Sequence, residues 1–485
     1  MNWWVLKRKV HSSWLIAFYC AGIFIGVFIA QYLKLQNSLL LSSFIFSIIF
    51  SAIVFWRKYV YLIPIIIICG VILGLCRGLI SQNELTQYKP LFCKIISLEG
   101  SVKDDVDTGT SGQIVIRLDS IYMNKKSLPG VLYITSENAN IKRGDKLILH
   151  GKLVKGFGNF SGVIYRATVD KIIQPKPGDM ARVVRDWFAN AIRKVIQEPE
   201  ASLGIGYLVG QRRALPADLV LALQIVGLTH VVVASGYNLT ILVRLSRRLF
   251  VKVSKYLSVL SSFIMVFVFM AITGVSPSMA RAGLVSGLCL LAWYYGRNFH
   301  PIVLLLLAVA ITVLINPSYA WGDLGWQLSF TAFAGVMILA PLINRYLFGD
   351  KKPGFFRQIL IETISAQIAT SPIIILAFGQ LSNVAIISNI LVLPLVPYTM
   401  LFIFIAGLGS IIFPVLIANY IALPAIWLLK YMVGVINYLS SLPWAMSIIQ
   451  FKWWNAVFCY LIIIVACIYM WRVTKYNLRD SNLVE

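Results

Sequence analysis

Along most of the chain, apolar residues come in unbroken runs rather than alternating with polar ones. Trp14–Leu33, Leu39–Trp56 and Tyr59–Ile80 form a first group, and such runs resume near Leu228 and continue to Trp471. A hydrocarbon core about 30 Å thick is crossed by a helix of about 20 apolar residues. The runs therefore predict a polytopic α-helical membrane protein. The interval between the two groups follows another pattern. "CKIISLEGSV", "GQIVIRLDSIYM", "PGVLYITS", "RGDKLILHGKLV" and "VIYRATVDKII" alternate or nearly alternate, with "TGTSG", "NKKSLPG" and "KRGD" as turns between them. About five short strands in so few residues predict an inserted small all-β domain, best matched by an OB-fold-like barrel, with an SH3-like barrel as the alternative.

A third pattern follows. In "GDMARVVRDWFANAIRKVIQEPE", Met180, Val183, Val184, Trp187, Phe188, Ala191, Ile192, Val195 and Ile196 share a face at helical spacing, flanked by Arg182, Arg185, Arg193 and Lys194. This predicts an amphipathic helix lying in the membrane interface and ended by Pro199, or else a helix packing two domains together. Beyond it the spans are interrupted by "GQRRALP", "TGVSPSMARA", "QIATSPIII" and "FGQLSN". Broken spans persist in lipid only where the freed backbone faces protein or a wet cavity. The resulting division is a three-span segment at 1–82, the barrel at 83–178, the interfacial helix at 179–200, a core of broken transmembrane helices at 201–475 and a short tail at 476–485.

Charge adds orientation. Lys7, Arg8 and Lys9 precede the first span, Arg57 and Lys58 precede the third, and the tail "WRVTKYNLRD" is basic. The positive-inside rule then places both termini in the cytoplasm, the barrel outside and an even number of crossings between them. The 485 residues carry a net charge of +24. Basic loops explain part of this, and a polyanionic partner (lipid headgroups or nucleic acid) is the other physical reading. Seven cysteines and four histidines form no metal-ligand or disulfide pattern, so neither metal nor cofactor is expected. The absence of G-x-x-x-x-G-K-[ST] leaves any driving force to a cytoplasmic motor or a gradient.

Within the apolar half, His230, Asn238, Arg281, Asp323, Gln327, Glu362 and Gln367 interrupt hydrophobic runs. Polar groups there are costly and face a partner or water. Together they predict a polar path lining a channel, and individually each could be a helix-to-helix hydrogen bond. His230 with Ser235 invites a nucleophile reading, but residues five apart lie about 140° apart around a helix, and "VASGY" lacks the first glycine of G-x-S-x-G. The chain is therefore not expected to be an enzyme. Ser235 and Gly236 read better as a close helix crossing.

These residues also carry a resemblance. "GLTHVVVASGYNLTILV" resembles the H-L-L-A-I-S-G-L-H-V signature of the ComEC-type competence family, and "TGVSPSMARAGLVSG" its G-x-S-x-S-x-x-R-A element. "YYGRN" is similar to its G-R turn and "INPSYAWGDLGWQLSFTAFAGV" to its P-x-x-x-x-D-x-G-x-Q-L-S-F-x-A stretch. His230, Ser235, Gly236, Arg281, Asp323, Gln327 and Ser329 fall on motif positions, and Asn238 replaces the family's second histidine. The resemblance implies an inner-membrane channel passing single-stranded DNA inward during natural transformation. It also implies a short form without the metallo-β-lactamase-like domain that many members carry, so a separate nuclease, a DNA receptor and a motor join single-stranded DNA and membrane lipid as expected partners. In the barrel, Lys142, Arg143, Lys146, Lys152, Lys155 and Arg166 interleave with Phe157, Phe160 and Tyr165. Cations among aromatics suit single strands, with the acidic edge at Asp104, Asp105 and Asp107 turned away. A proton-coupled small-molecule or lipid-linked transporter and an intramembrane hydrolase are the rival readings.

Overall fold

A computed structural model describes residues 9–33, 38–108, 113–137, 140–175, 178–211, 215–232, 236–274, 276–296, 300–349 and 353–476. Among them, eight helices are long and apolar enough to cross a membrane by length and composition. The chain is thus a multi-pass α-helical membrane protein with a small inserted all-β barrel. It divides into two compact units: Met1–Gly178 with Phe299–Gln327, and Asp179–Asn298 with Leu328–Glu485.

In the first unit, the helices Ser12–Ala30 and Ile63–Leu85 pack more closely than ordinary side chains allow. A Cβ added to Gly22 would lie 3.1 Å from Gly70 Cα, and Gly26 and Gly74 meet the facing backbone in the same way. Glycines four apart on both helices remove the side chains that would hold the backbones apart, which is the close-packing device of membrane helices. Pro301–Ile315 packs on the same bundle, where Arg77 Nε donates to the carbonyl of Leu314 at 2.8 Å.

The barrel has five principal strands: β1 (Ile95–Val102), β2 (Ile114–Met123), β3 (Leu132–Ser136), β4 (Lys146–Lys155) and β5 (Gly162–Ile164). Neighbours run β1-β2-β3-β5-β4, and β1 pairs back onto β4, closing the sheet; only β3 and β5 are parallel. This cyclic order is that of an OB-fold. Alternation fills the interior: Leu147, Leu149 and Leu153 point inward from β4 while Lys146, His150 and Lys152 point out. Tyr88, from the segment after the third span, is fully buried in the barrel core, and its hydroxyl donates to the carbonyl of Pro129 at 2.8 Å.

The last expected strand is two strands. Gly162–Ile164 pairs with β3 and with residues 153–155 of β4, and Thr168–Ile173 pairs with residues 146–150 farther along β4. Between them Arg166 takes a left-handed conformation (φ 50°), and its amide donates to Thr135 Oγ1 at 2.9 Å. A hydrogen-bonded corner at a non-glycine residue gives no turn signal in sequence.

In the second unit the amphipathic segment is helical only over Met180–Arg193, ending before Pro199, with Asp179 accepting the amide of Arg182 at its start. Its apolar stripe divides along its length. Met180, Val183, Val184 and Trp187 are exposed, while Ala191, Ile192, Val195 and Ile196 are buried. Phe188 packs on Gly407 of the helix Val396–Ile412, and Ser410 Oγ donates to the carbonyl of Ala191 at 2.7 Å.

Candidate functional site

In the second unit, Lys255–Thr273 ends at Gly274 (φ 90°), and the next helix, Pro277–Tyr294, is capped by Ser276, whose Oγ accepts the amide of Met279. Arg281 stands one turn inside this capped start. Its Nε donates to Ser329 Oγ at 2.7 Å, and its guanidinium carbon lies 5.1 Å from the Phe333 ring centroid and 5.9 Å from that of Phe330. Ser329, Phe330 and Phe333 are presented together by the helix Leu324–Ala334. That helix continues through a π turn at Gly335–Leu339, where Gly335 is pressed against the backbone of Ser365. π turns inside helices recur at functional sites.

Gly236 opens the helix Gly236–Phe250 on the same residues. A Cβ at this position would lie 2.9 Å from Ala282 Cβ and 3.1 Å from Arg281 Nη2. Gly236 therefore lies against Arg281 at a close helix contact. No salt bridge to Arg281 forms among the described residues. Among the described residues, one hydroxyl and two ring faces hold the guanidinium.

The other motif residues take different positions. Asn238 is fully buried, and its amide donates to the carbonyl of Tyr207 at 3.0 Å, a helix-to-helix bond. His230 is exposed, with Nδ1 3.0 Å from the carbonyl of Gly227. Ser235 lies outside the described residues. Glu362 accepts from Gln358 Nε2 at 2.9 Å on its own helix.

Asp323 and Gln327 belong to the first unit. Asp323 Oδ1 accepts the amide of Trp326 at 2.7 Å, a helix cap just before the apolar span Leu324–Phe348. Its Oδ2 accepts from Asn159 Nδ2 of the barrel at 2.6 Å. Burial holds this carboxyl above its ordinary range, opposed by the Trp326 amide, Arg117, the Gly325 amide and Lys103. Gln327 Nε2 reaches the carbonyl of Ala320 at 3.4 Å. Trp326 donates its indole N–H to Thr312 Oγ1 and stacks on Phe24.

On the barrel, Phe157 and Phe160 come together with a residue that the sequence reading passed over, Tyr133, and the three ring centroids lie 5.3–5.4 Å apart. Tyr133 was visible as an outward position of the alternating β3. Opposite it on β2 stands Arg117, which pairs with Asp107 at 3.1 Å and Asp104 at 3.5 Å. The acidic edge therefore adjoins the aromatic cluster instead of lying away from it, because β2–β3 pairing brings them together. Burial raises the Tyr133 hydroxyl pKa, Tyr165 and Asp107 add to the rise, and Arg117 opposes it. Lys142, Lys146, Lys152, Lys155, Tyr165 and Arg166 are exposed. Arg143 is buried and so withdrawn from the surface.

No solved structure matches the chain. ComE operon protein 3 of Bacillus subtilis (strain 168) is 25% identical over 207 residues, which are 42% of this chain and 26% of the relative. The match thus spans about a quarter of that relative's length. The profile described as competence protein matches residues 207–473, which contain Gly236, Arg281, Asp323 and Ser329. With more than half of its 485 residues matched, the chain belongs to the competence protein family.

Proposed function

We propose that this protein is a channel in the bacterial cytoplasmic membrane that passes single-stranded DNA inward during DNA uptake, with both termini cytoplasmic and the barrel outside. The observation that carries the reading is Arg281: an arginine among apolar helices, held by Ser329 and two phenylalanine rings, with no carboxylate salt bridge among the described residues. An intramembrane cation that persists in this setting marks an anion path. Phosphates of a passing strand meet its fork one after another, and the rings beside it give bases an apolar surface.

The barrel supplies the outer contact. Its exposed lysines attract phosphates, and the ring cluster Tyr133, Phe157 and Phe160 takes unstacked bases. In this reading these residues move DNA without bond chemistry, so no nucleophile, metal or cofactor among them takes part. The exposed stripe Met180, Val183, Val184 and Trp187 lies in the lipid interface.

The test is uptake of labelled DNA in a strain deleted for the gene and complemented with wild type, Arg281→Ala or Ser235→Ala, each checked first for membrane level. Wild type and Ser235→Ala restore internalised DNA, and Arg281→Ala does not. Loss with Ser235→Ala at a normal membrane level would instead point to a hydrolase.

A further inference from the structure

The barrel loop at 156–161 and the turn before the span Leu324–Phe348 meet backbone to backbone, both within the first unit. Gly158 adopts φ +59°, and a Cβ there would lie 2.8 Å from the carbonyl oxygen of Gly322. A Cβ on Gly322 would in turn lie 2.8 Å from the amide nitrogen of Asn159. Neither glycine can carry a side chain without parting the two segments. Beside them, Asn159 Nδ2 donates to Asp323 Oδ2 at 2.6 Å, while Oδ1 of the same carboxylate caps the helix through the Trp326 amide. One half-buried carboxylate therefore joins a barrel loop to the start of a family-motif helix 164 residues away in sequence.

The barrel face at this junction is not arbitrary. OB-folds take their ligands on strands two and three and on the loops after strands one and four. Here those parts hold Tyr133 and Arg117 on the strands, Lys103 and Asp104 in the first loop, and Phe157 and Phe160 in the second. The charges of Arg117 and Lys103 both reach Asp323. The loop after β4, which carries Phe157 and Phe160, thus meets the Gly322–Asp323 turn through Gly158 and Asn159.

We infer that Asn159 is a positioning residue: by its bond to Asp323 it registers the aromatic face of the barrel on the motif turn, so that a single strand held by the rings is handed to the membrane-embedded segment. The inference rests on the DNA-channel reading, and it assigns Asn159 no contact with DNA.

The test uses the full-length chain and exchanges the two groups. Asn159→Asp sets two carboxylates against each other, and Asn159→Asp with Asp323→Asn restores an amide–carboxylate bond of reversed direction while keeping a helix-capping residue. Three readouts are compared: melting of the purified protein, binding of a labelled oligothymidylate, and DNA uptake by complemented cells. Losing a charge-assisted bond should cut uptake by Asn159→Asp about tenfold and lower melting, with oligothymidylate binding held within about twofold. The exchange should return both melting and uptake toward wild type. Wild-type uptake by Asn159→Asp, or an exchange that restores melting and leaves uptake low, overturns the inference. Loss of oligothymidylate binding in Asn159→Asp also overturns it, because Asn159 would then be a ligand contact. If the wild type itself imports no DNA, the channel reading fails and the handover fails with it, and the melting comparison still reports whether the bond exists.

Discussion

Gly236 and Arg281 are neighbours across a helix contact that leaves no room for a side chain: a Cβ on Gly236 would sit 3.1 Å from Arg281 Nη2 and 2.9 Å from Ala282 Cβ. Gly236→Ala should cost about 1 kcal/mol and Gly236→Leu up to about 3 kcal/mol, the range for overpacked sites. Leucine should also displace the guanidinium from Ser329. Uptake should fall modestly with alanine and be lost with leucine, at membrane levels measured by immunoblot. Full uptake by Gly236→Leu would show that this contact does not set the Arg281 position.

Arg281→Lys keeps the charge but loses the planar fork and its stacking on Phe333 and Phe330. Uptake should fall about tenfold, the worth of one good charged hydrogen bond. Ser329→Ala, which removes only the bond to Nε, should fall less. Equal activity of Arg281→Lys and wild type would mean that a bare positive charge suffices.

On the barrel, Phe157→Ala and Phe160→Ala should each weaken oligothymidylate binding by the full-length protein. Stacking of one base on an aromatic ring is worth about 1–3 kcal/mol, or roughly 5- to 150-fold in affinity. Binding should also fall steeply as salt rises, because phosphate contacts release counterions. Filter binding or fluorescence anisotropy across a salt series reads both, and a flat salt response would remove the barrel from the DNA path.

Burial raises the Asp323 carboxyl above its ordinary range. Relative to the unfolded chain, the folded chain therefore disfavours the ionised form. The resulting stability is fully present below the unfolded pKa of about 3.9 and is lost as pH rises through the folded value. Asp323→Asn does not titrate and retains a capping acceptor. Its melting temperature should therefore gain on wild type as pH rises through this window and hold that gain above it. A gap that narrows with rising pH would show that Asn159 and Trp326 favour the carboxylate more than burial disfavours it.

Much of the architecture was legible because it is periodic. Apolar runs gave the spans, and alternation gave β1 to β4, since inward Leu147 and Leu149 must separate outward Lys146, Ile148 and His150. The split of the last strand was not legible, because Arg166 makes its corner without glycine or proline. Arg281 and Gly236 could be picked out singly as polar or small residues in apolar surroundings. The Asn159–Asp323 bond could not, since no local pattern links residues so far apart in the chain. The pairing of Gly22 and Gly26 with Gly70 and Gly74 was present as small residues four apart, a spacing that a reading centred on hydrophobicity passes over.

The channel reading stands or falls most directly on DNA that has crossed the membrane. Cells deleted for the gene and complemented with wild type or Arg281→Ala would be given labelled DNA, treated with external nuclease, and assayed for protected label. Wild-type cells should accumulate protected single strands, and Arg281→Ala cells, with the same amount of protein in the membrane, should stay near the deletion background. Protected label in the Arg281→Ala cells at the wild-type level would contradict a path through Arg281, and none in either strain would contradict DNA transport itself.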